Sequence, residues 1–342
     1  MTATSPPQLT SAEQYYARLA EAKVAPLWLR EQDPEPRADE VPYVWRWKEL
    51  YPLLAEASQT LDLGEGSERR ALTASNPGGR IPATTNSMVA AYQMVLPGER
   101  AGAHRHSPGA IRLMLAGRGH TVVDGEPILM ARGDLILTPG MTWHDHRNDG
   151  EEPMVWLDGL DAPFVRQMRA AFFENHPGSR FQEADKVEGD SVRRYGSGLV
   201  PTAGRRALPH SPLMRYRFET SHAALRELQG LVNDEHDGVK LEYTNPVSGG
   251  HVLPTMACYL QLLTASSRTR PQRHTSSTIL CPLSGRGYSM IGGERFDWEE
   301  NDFFVIPSWS WYEHVTEEEV VLFSMSDRAI LEPFNLYREE RA

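Results

Sequence analysis

The chain has 342 residues, 40% of them hydrophobic and 24% charged, with a formal net charge of −11, which is ordinary for a globular protein with room for two domains. The acidic balance argues against an extended nucleic-acid surface and against an anionic membrane, but it still permits a local cationic pocket for an acidic small molecule. Cys258 and Cys281 make no disulfide framework and suit a reducing cytoplasm; no apolar run reaches the roughly 18 residues of a membrane span, and "MTATSPPQLTSAEQYY" has no secretory apolar core.

In chain order, "TSAEQYYARLAEAKVAPLWLR" opens with a capping-box pattern, Ser11 before Gln14, and continues at helical spacing. "EQDPEPRADEVP", with Pro34 and Pro36, reads as a loop. "WRWKELYPLLAEASQTL" predicts a second helical stretch, interrupted at Pro52. Residues 1–65 therefore form a helical N-terminal segment, whose Trp28, Trp45 and Trp47 offer apolar surface to another unit or a neighbouring copy. Residues 66–170 change character: short Val, Ile and Leu runs are separated by Gly-containing turns, with Asp124-Gly125 as a hairpin turn in "HTVVDGEPILM". Residues 171–235 read as a connector, polar at first and helical in "TSHAALRELQGLV". The short-strand pattern returns over 236–342.

That return is an internal repeat. At a shift of 168 residues, "GRGHTVVDGE" falls on "GRGYSMIGGE", Asp134 on Asp302, Pro139 on Pro307, Trp143 on Trp311, His106 on His274 and His146 on His314. Two copies of one all-β unit, many short strands joined by Gly turns, predict two barrels of jelly-roll type. The differences are more informative: His104 becomes Gln272, His144 becomes Tyr312 and Arg112 becomes Leu280. A group needed only for folding belongs in both copies. Any metal site is thus expected in the first.

His104 and His106 share one face of a strand, and His144 faces them from a strand after "GDLILTPGMTW". Three neutral imidazoles suit Fe(II), Zn, Cu or Ni and leave coordination positions open, as catalytic sites do. Arg112 follows His106 by six residues, so an unbroken strand points it into the same barrel, where its guanidinium can clamp a carboxylate. A structural salt bridge is the alternative. His146, two residues after His144, also faces inward on a regular strand; its counterpart His314 keeps a structural role open.

"GERAGAHRH" and "GDLILTPGMTWHDHRN", the latter ending on Asn148, resemble the two cupin motifs, with "SPGAI" where the usual Glu ligand would stand. A two-cupin chain carrying "HRH…AIR" and "WHDH…N…WLDGLD" is similar to the gentisate 1,2-dioxygenase family, which includes salicylate and 1-hydroxy-2-naphthoate dioxygenases. The resemblance implies one Fe(II) per chain, held by His104, His106 and His144, and O₂ as co-substrate. The implied substrate is a small aromatic hydroxy acid, opened between its carboxyl-bearing and adjacent hydroxyl-bearing ring carbons. Gentisate, giving maleylpyruvate, leads; salicylate, a 5-substituted salicylate and 1-hydroxy-2-naphthoate compete. The resemblance further implies substrate contact or proton transfer by His146, an orienting role for Asp158 on His146 or Arg112, a pocket position for Gln93, and a homotetramer. Arg69 or Arg70 in "SERRAL" offers a second cation for the substrate, or a solvated charge run. The chain departs from the family at Val89 and Ala91, where relatives often carry an aromatic residue and a glycine; a small Val89 leaves room for a ring substituent or alters packing. A non-catalytic aromatic-acid-binding cupin, a sugar-acid isomerase and a structural bicupin are the competing readings.

Overall fold

The strand-forming runs condense into four sheets that repeat one plan twice. The computed structural model describes residues 10–60, 70–203 and 208–342. The first copy uses β1 (Tyr43–Trp45), β2 (Arg70–Thr73), β3 (Val89–Val95), β4 (Arg100–His106), β5 (Ala110–Ala116), β6 (Arg118–Val123), β7 (Glu126–Ala131), β8 (Leu135–Thr138), β9 (His144–Arg147), β10 (Met154–Leu160) and β11 (Phe173–Asn175). The second uses β12 (Arg215–Tyr216), β13 (Val239–Tyr243), β14 (Ala257–Leu263), β15 (Ser267–Arg268), β16 (Gln272–His274), β17 (Thr278–Ser284), β18 (Gly287–Ile291), β19 (Glu294–Trp298), β20 (Phe303–Ile306), β21 (Tyr312–Thr316), β22 (Val320–Ser326) and β23 (Glu339–Arg341). The helices are α1 (Ser11–Glu21), α2 (Trp47–Thr60), α3 (Ala162–Gln167), α4 (Asp190–Tyr195), α5 (Phe218–Leu228) and α6 (Arg328–Leu331). The protein is mainly β, a bicupin as its sequence predicts.

The sheets β12-β8-β5-β10-β3-β2 and β1-β20-β17-β22-β14-β13 match strand for strand. Each copy's leading strand lies in the other copy's sheet: β1 pairs with β20, and β12 pairs with β8. The repeated aspartates anchor this exchange. Asp134 accepts from the backbone N–H of Phe218 at 2.9 Å and from Arg215 Nε at 2.8 Å. Asp302 accepts from the N–H of Trp47 at 2.8 Å and from Arg46 at 3.1 Å. Each carboxylate caps a helix start and holds an arginine beside it.

The largest core lies where these two sheets pack together. It joins Tyr92, Ile111, Leu113 and Leu157 to Leu260, Ile279, Phe303 and Phe323. Strands that bury both faces read as continuous apolar runs, such as "VVLFSMS" in β22. The alternation then decides what points inside the first unit. Ile111, Leu113 and Leu115 of β5 face the shared core, whereas Met114 packs with Val95, Ile136, Met154 and Trp156 in the interior cluster.

Four local expectations shift. In the unit Met1–Arg37 the capping box closes one residue earlier than expected, on Thr10 and Glu13. Glu13 N–H donates to Thr10 Oγ1 at 3.3 Å, and Thr10 N–H donates to the Glu13 carboxylate at 2.5 Å. The second helix is not interrupted at Pro52, because α2 runs through it. Pro52 removes one backbone bond, but Asp302 holds the helix start and Leu54 is fully buried in the core. Trp45 is extended in β1 and stacks on Phe303, with ring centroids 5.0 Å apart. The connector is also less featureless than it reads: β11 pairs with β4, setting Phe173 opposite His106 and Asn175 opposite His104.

Candidate metal centre

β4 and β9 are antiparallel neighbours, with His104 opposite His144 and Ala101 opposite His146. Three residues of β4 span the two steps of β9, so a bulge between Ala101 and His104 resets the alternation just before the His-x-His pair. Entry to β9 is fixed by a tight turn. The Met141 N–H donates to the His106 carbonyl at 2.7 Å, and a Cβ on Gly140 would collide with the Ser107 carbonyl oxygen. The motif glycine before His144 is therefore a close-approach position.

The three rings are oriented alike. Nδ1–H of His104 donates to the Gly102 carbonyl at 2.9 Å, that of His106 to Pro108 at 2.8 Å and that of His144 to Thr142 at 3.0 Å. A carbonyl can only accept, so each Nδ1 carries the proton and each Nε2 keeps its lone pair. One ligand atom from each ring lies within 4.8 Å of the others, and ring centroids are 4.3–5.6 Å apart. His144 Nε2 is buried and has no hydrogen-bond partner among the described residues. Burial first, then the Arg112 charge and the neighbouring rings, hold His144 well below the usual imidazole range, so it is neutral. A buried lone pair without a donor is costly unless something electron-poor meets it. The set can bind a metal, and its Nδ1 hydrogen bonds are the outer support that metal-ligating histidines use.

Arg112 enters the same interior by a different route from the expected unbroken strand. β4 ends at His106 and β5 begins at Ala110, so Arg112 approaches from the facing sheet. It is buried, with Nε 3.3 Å from Asp158 Oδ1 and Nη1 donating to Thr138 Oγ1. Asp158 is its register partner on β10. Burial raises the Asp158 carboxyl above its ordinary range, with Arg112 and then the Trp156 indole N–H, on the same face, only partly opposing the rise. Of the two orienting roles open to Asp158, the geometry places it against Arg112. His146 is buried beside the triad, its ring 5.9 Å from His144 and 5.2 Å from Trp156.

Val89, Ala91 and Gln93 alternate along β3 with Ala90, Tyr92 and Met94, which belong to the shared core, so the three line the unit's interior. Ala91 is opposite Asp158 and Gln93 opposite Trp156. Arg70 directs its guanidinium to Glu99, with two hydrogen bonds of 2.7 and 2.5 Å, so a carboxylate already balances its charge. Arg69 lies outside the described residues. Asn148 of the motif is structural: its amide donates to the Val95 and Glu152 carbonyls, both at 2.8 Å, and ties the β9–β10 loop.

Three residues at this site escaped the sequence reading. Thr138 and Trp156 become Ile306 and Ser324 at the 168-residue shift, the same kind of difference that singled out Arg112. Phe173 stacks on His104 with centroids 5.4 Å apart; it sits on a three-residue edge strand with no periodic signal.

Residues 91–159 match the model of the cupin domain. Over its full length the chain is 37% identical to gentisate 1,2 dioxygenase 1 of Aquipseudomonas alcaligenes, covering 100% of that protein as well. It is 36% identical to the 5-aminosalicylate 1,2-dioxygenase of Comamonas sp, across 97% of this chain and 90% of that one. Salicylate 1,2-dioxygenase from Pseudoaminobacter salicylatoxidans, solved as an adduct with gentisate, superposes with a TM-score of 0.90 at 34% identity, covering 99% of this chain and 96% of that one.

Proposed function

The chain belongs to the gentisate 1,2-dioxygenase family and is a ring-cleaving dioxygenase, and from that premise we propose that it holds one Fe(II) on His104, His106 and His144 and converts gentisate with O₂ to maleylpyruvate. Supporting this reading is the convergence of three proton-free Nε2 atoms on one point, in an interior that also holds the Arg112 guanidinium. Three neutral ligands leave a divalent ion its full charge and open positions, which suits a chelating carboxylate and phenolate. When bound, ferrous iron supplies the one-electron chemistry that lets O₂ react with an aromatic ring. Both oxygen atoms enter the product, so no external reductant is required.

The protein's own groups do the rest. Arg112 binds the substrate carboxylate in a planar, bidentate fork, and Asp158 and Thr138 fix that guanidinium. His146 accepts the proton of the ring hydroxyl as it ionises. Trp156 and Phe173 border the ring and exclude water. Val89, Ala91 and Gln93 line the side where ring substituents lie.

A second substrate reading, a salicylate carrying another group at position 5, rests on the small Val89 and Ala91 side chains in that lining. Anaerobic protein loaded with Fe(II) and offered gentisate, salicylate, 5-aminosalicylate and 1-hydroxy-2-naphthoate tests the reading. Gentisate is expected to give the highest kcat/KM on O₂ admission. A higher value for any other member replaces gentisate, and uptake with none overturns the assignment. We also propose a cytoplasmic homotetramer; no helix among the described residues is long and apolar enough to cross a membrane. Light scattering at micromolar concentration checks the assembly, and a monomer refutes it.

A further inference from the structure

We propose that the second β unit binds an uncharged, ring-shaped polyhydroxy compound in a cavity of about 320 Å³ that opens inside it. The inference is independent of the chemistry assigned to the first unit. It rests on which polar atoms of this cavity are committed and which are not.

His274 has the tautomer of the first unit's three histidines, but its Nε2 lone pair is already committed. His274 donates from Nδ1 to the Ser276 carbonyl at 2.8 Å, so its Nε2 accepts from the Tyr312 hydroxyl at 3.2 Å. The lone pair that corresponds to the His106 ligand atom is taken by a phenol. Trp298 Nε1–H donates to Ser289 Oγ at 2.9 Å, and the fully buried Ser289 hydroxyl then has His314 Nδ1, at 2.8 Å, as its acceptor. His314 therefore carries its proton on Nε2. Burial pushes both imidazoles down to about 4, so they are neutral. The His314 Nε2–H has no acceptor among the described residues and lines the cavity.

Two carboxamides face it with the opposite polarity. Gln261 anchors its amide N–H on the Asp237 carbonyl at 2.7 Å, and Gln272 anchors its own on the Asp237 carboxylate at 3.0 Å. Both residues are buried and line the cavity, and no described donor reaches either side-chain oxygen. The Ser324 hydroxyl and, in the wall, the buried Tyr259 hydroxyl are likewise without partners among the described residues. Leu280 and Ile306 supply apolar lining. A ligand that satisfies this set must bring hydroxyl donors to two oxygens and an oxygen to the His314 N–H, spaced around a compact apolar frame.

Charge excludes the acids that the first unit takes. Every cation in the lining is committed: Lys240 to Asp237 at 3.0 Å, Arg341 to Asp234 at 2.9 Å and Arg328 to Glu332 at 2.6 Å. Four lining carboxylates, on Asp234, Asp237, Glu242 and Glu339, stand against these three cations. A carboxylate or phosphate would meet a net negative wall with no cation to spare.

The test is ligand-observed saturation-transfer NMR and calorimetry on the whole iron-loaded protein with myo-inositol, D-xylose, D-glucose and hydroquinone, and benzoate as the anionic control. The double variant Tyr259→Phe/Ser324→Ala removes two hydroxyls that have no partner among the described residues, so it is expected to keep its fold and its ring-cleaving rate. At least one neutral compound is expected to bind wild type with a Kd of about 10 mM or tighter, and about tenfold more weakly in the double variant, as two neutral hydrogen bonds allow. The proposal is overturned if no neutral compound binds, if binding is unchanged in the variant, or if benzoate binds best and loses affinity in the variant. A sugar without hydroquinone, or the reverse, identifies the ring type within the class.

Discussion

Arg112 Nε lies 3.3 Å from Asp158 Oδ1, the two residues opposite one another on β5 and β10, yet neither atom takes part in a hydrogen bond among the described residues. The pair is held by charge rather than by aligned donor and acceptor. Among the described residues, no hydrogen bond occupies the second terminal nitrogen of Arg112, which leaves part of the fork to receive a carboxylate.

Removing one partner of a buried charge pair costs on the order of 2–5 kcal/mol in binding, or roughly 30-fold to several-thousand-fold. Arg112→Leu is expected to retain iron and lose at least about 30-fold in kcat/KM, with Asp158 left buried and uncompensated and the protein correspondingly less stable. Arg112→Lys rescues only in part, because an ammonium lacks the planar fork. Oxygen uptake and metal analysis on both variants check this; Arg112→Leu within a few-fold of wild type refutes the carboxylate clamp.

Thr138 Oγ1 accepts from Arg112 Nη1 and is fully buried. A hydrogen bond to a charged group contributes about 1.5–3 kcal/mol, so Thr138→Val, which keeps the shape and removes the acceptor, is expected to lower kcat/KM by about tenfold or more. Thr138→Ser is expected to restore most of it. Separate kcat and KM values distinguish the cause: a rise in KM alone means weaker binding of the carboxylate, and a fall in kcat means a misplaced ring. Unchanged kinetics in Thr138→Val would remove this residue from the site.

Metal stoichiometry separates the two units. His104→Ala is expected to abolish iron binding and turnover, because two imidazoles remain of a three-ligand set. His274→Ala, on the unit where Tyr312 donates to the corresponding Nε2, is expected to leave one iron per chain. Two irons in wild type by elemental analysis, or none in His274→Ala, contradicts the assignment.

A reciprocal pair of hydrogen bonds joins the halves. Thr255 Oγ1 donates to Asp161 at 2.5 Å, and Ser87 Oγ donates to Asp327 at 2.5 Å; Ser87 and Thr255 are counterparts at the 168-residue shift. Burial pushes both carboxyls up to about 6, against the opposing hydrogen bonds and, for Asp327, with the nearby Glu40 charge adding to the rise. Between about pH 4 and 6 the folded protein keeps protons that the unfolded chain has lost, so this contribution falls as pH rises through that window and is constant above it. Two pKa units on each group correspond to about 3 kcal/mol apiece. Asp161→Asn/Asp327→Asn is expected to remove that slope, so the stability difference from wild type shifts in the variant's favour between pH 4 and 7. Urea unfolding at several pH values measures it, and a parallel pair of curves rejects the idea.

Side-chain chemistry along one strand is local, and it was legible. His104, His106 and His144 stand out because alternation places two on one face and the repeat lacks two of them in the other copy. The 168-residue register also made the two-unit architecture readable, since matching turns and aspartates impose the same sheet order twice. The same subtraction would have reached Thr138 and Trp156, had it been carried along β8 and β10.

Tertiary structure decided the rest. Arg112 faces the metal-binding set although the strand that was meant to carry it there breaks after His106; its position comes from sheet-on-sheet packing, which no spacing along the chain encodes. β1 and β12, three and two residues long, carry no periodicity, so their exchange between units was invisible until pairing partners were known. Phe173 reaches His104 from an edge strand for the same reason. The capacity of histidine to bind a metal is written in the residue, but which nitrogen holds the proton depends on where a carbonyl, a phenol or a serine hydroxyl lies in space. His106 and His274 share a register, a residue type and an Nδ1 bond to a carbonyl, and the Tyr312 hydroxyl, which stands where the first unit has His144, occupies the Nε2 of His274.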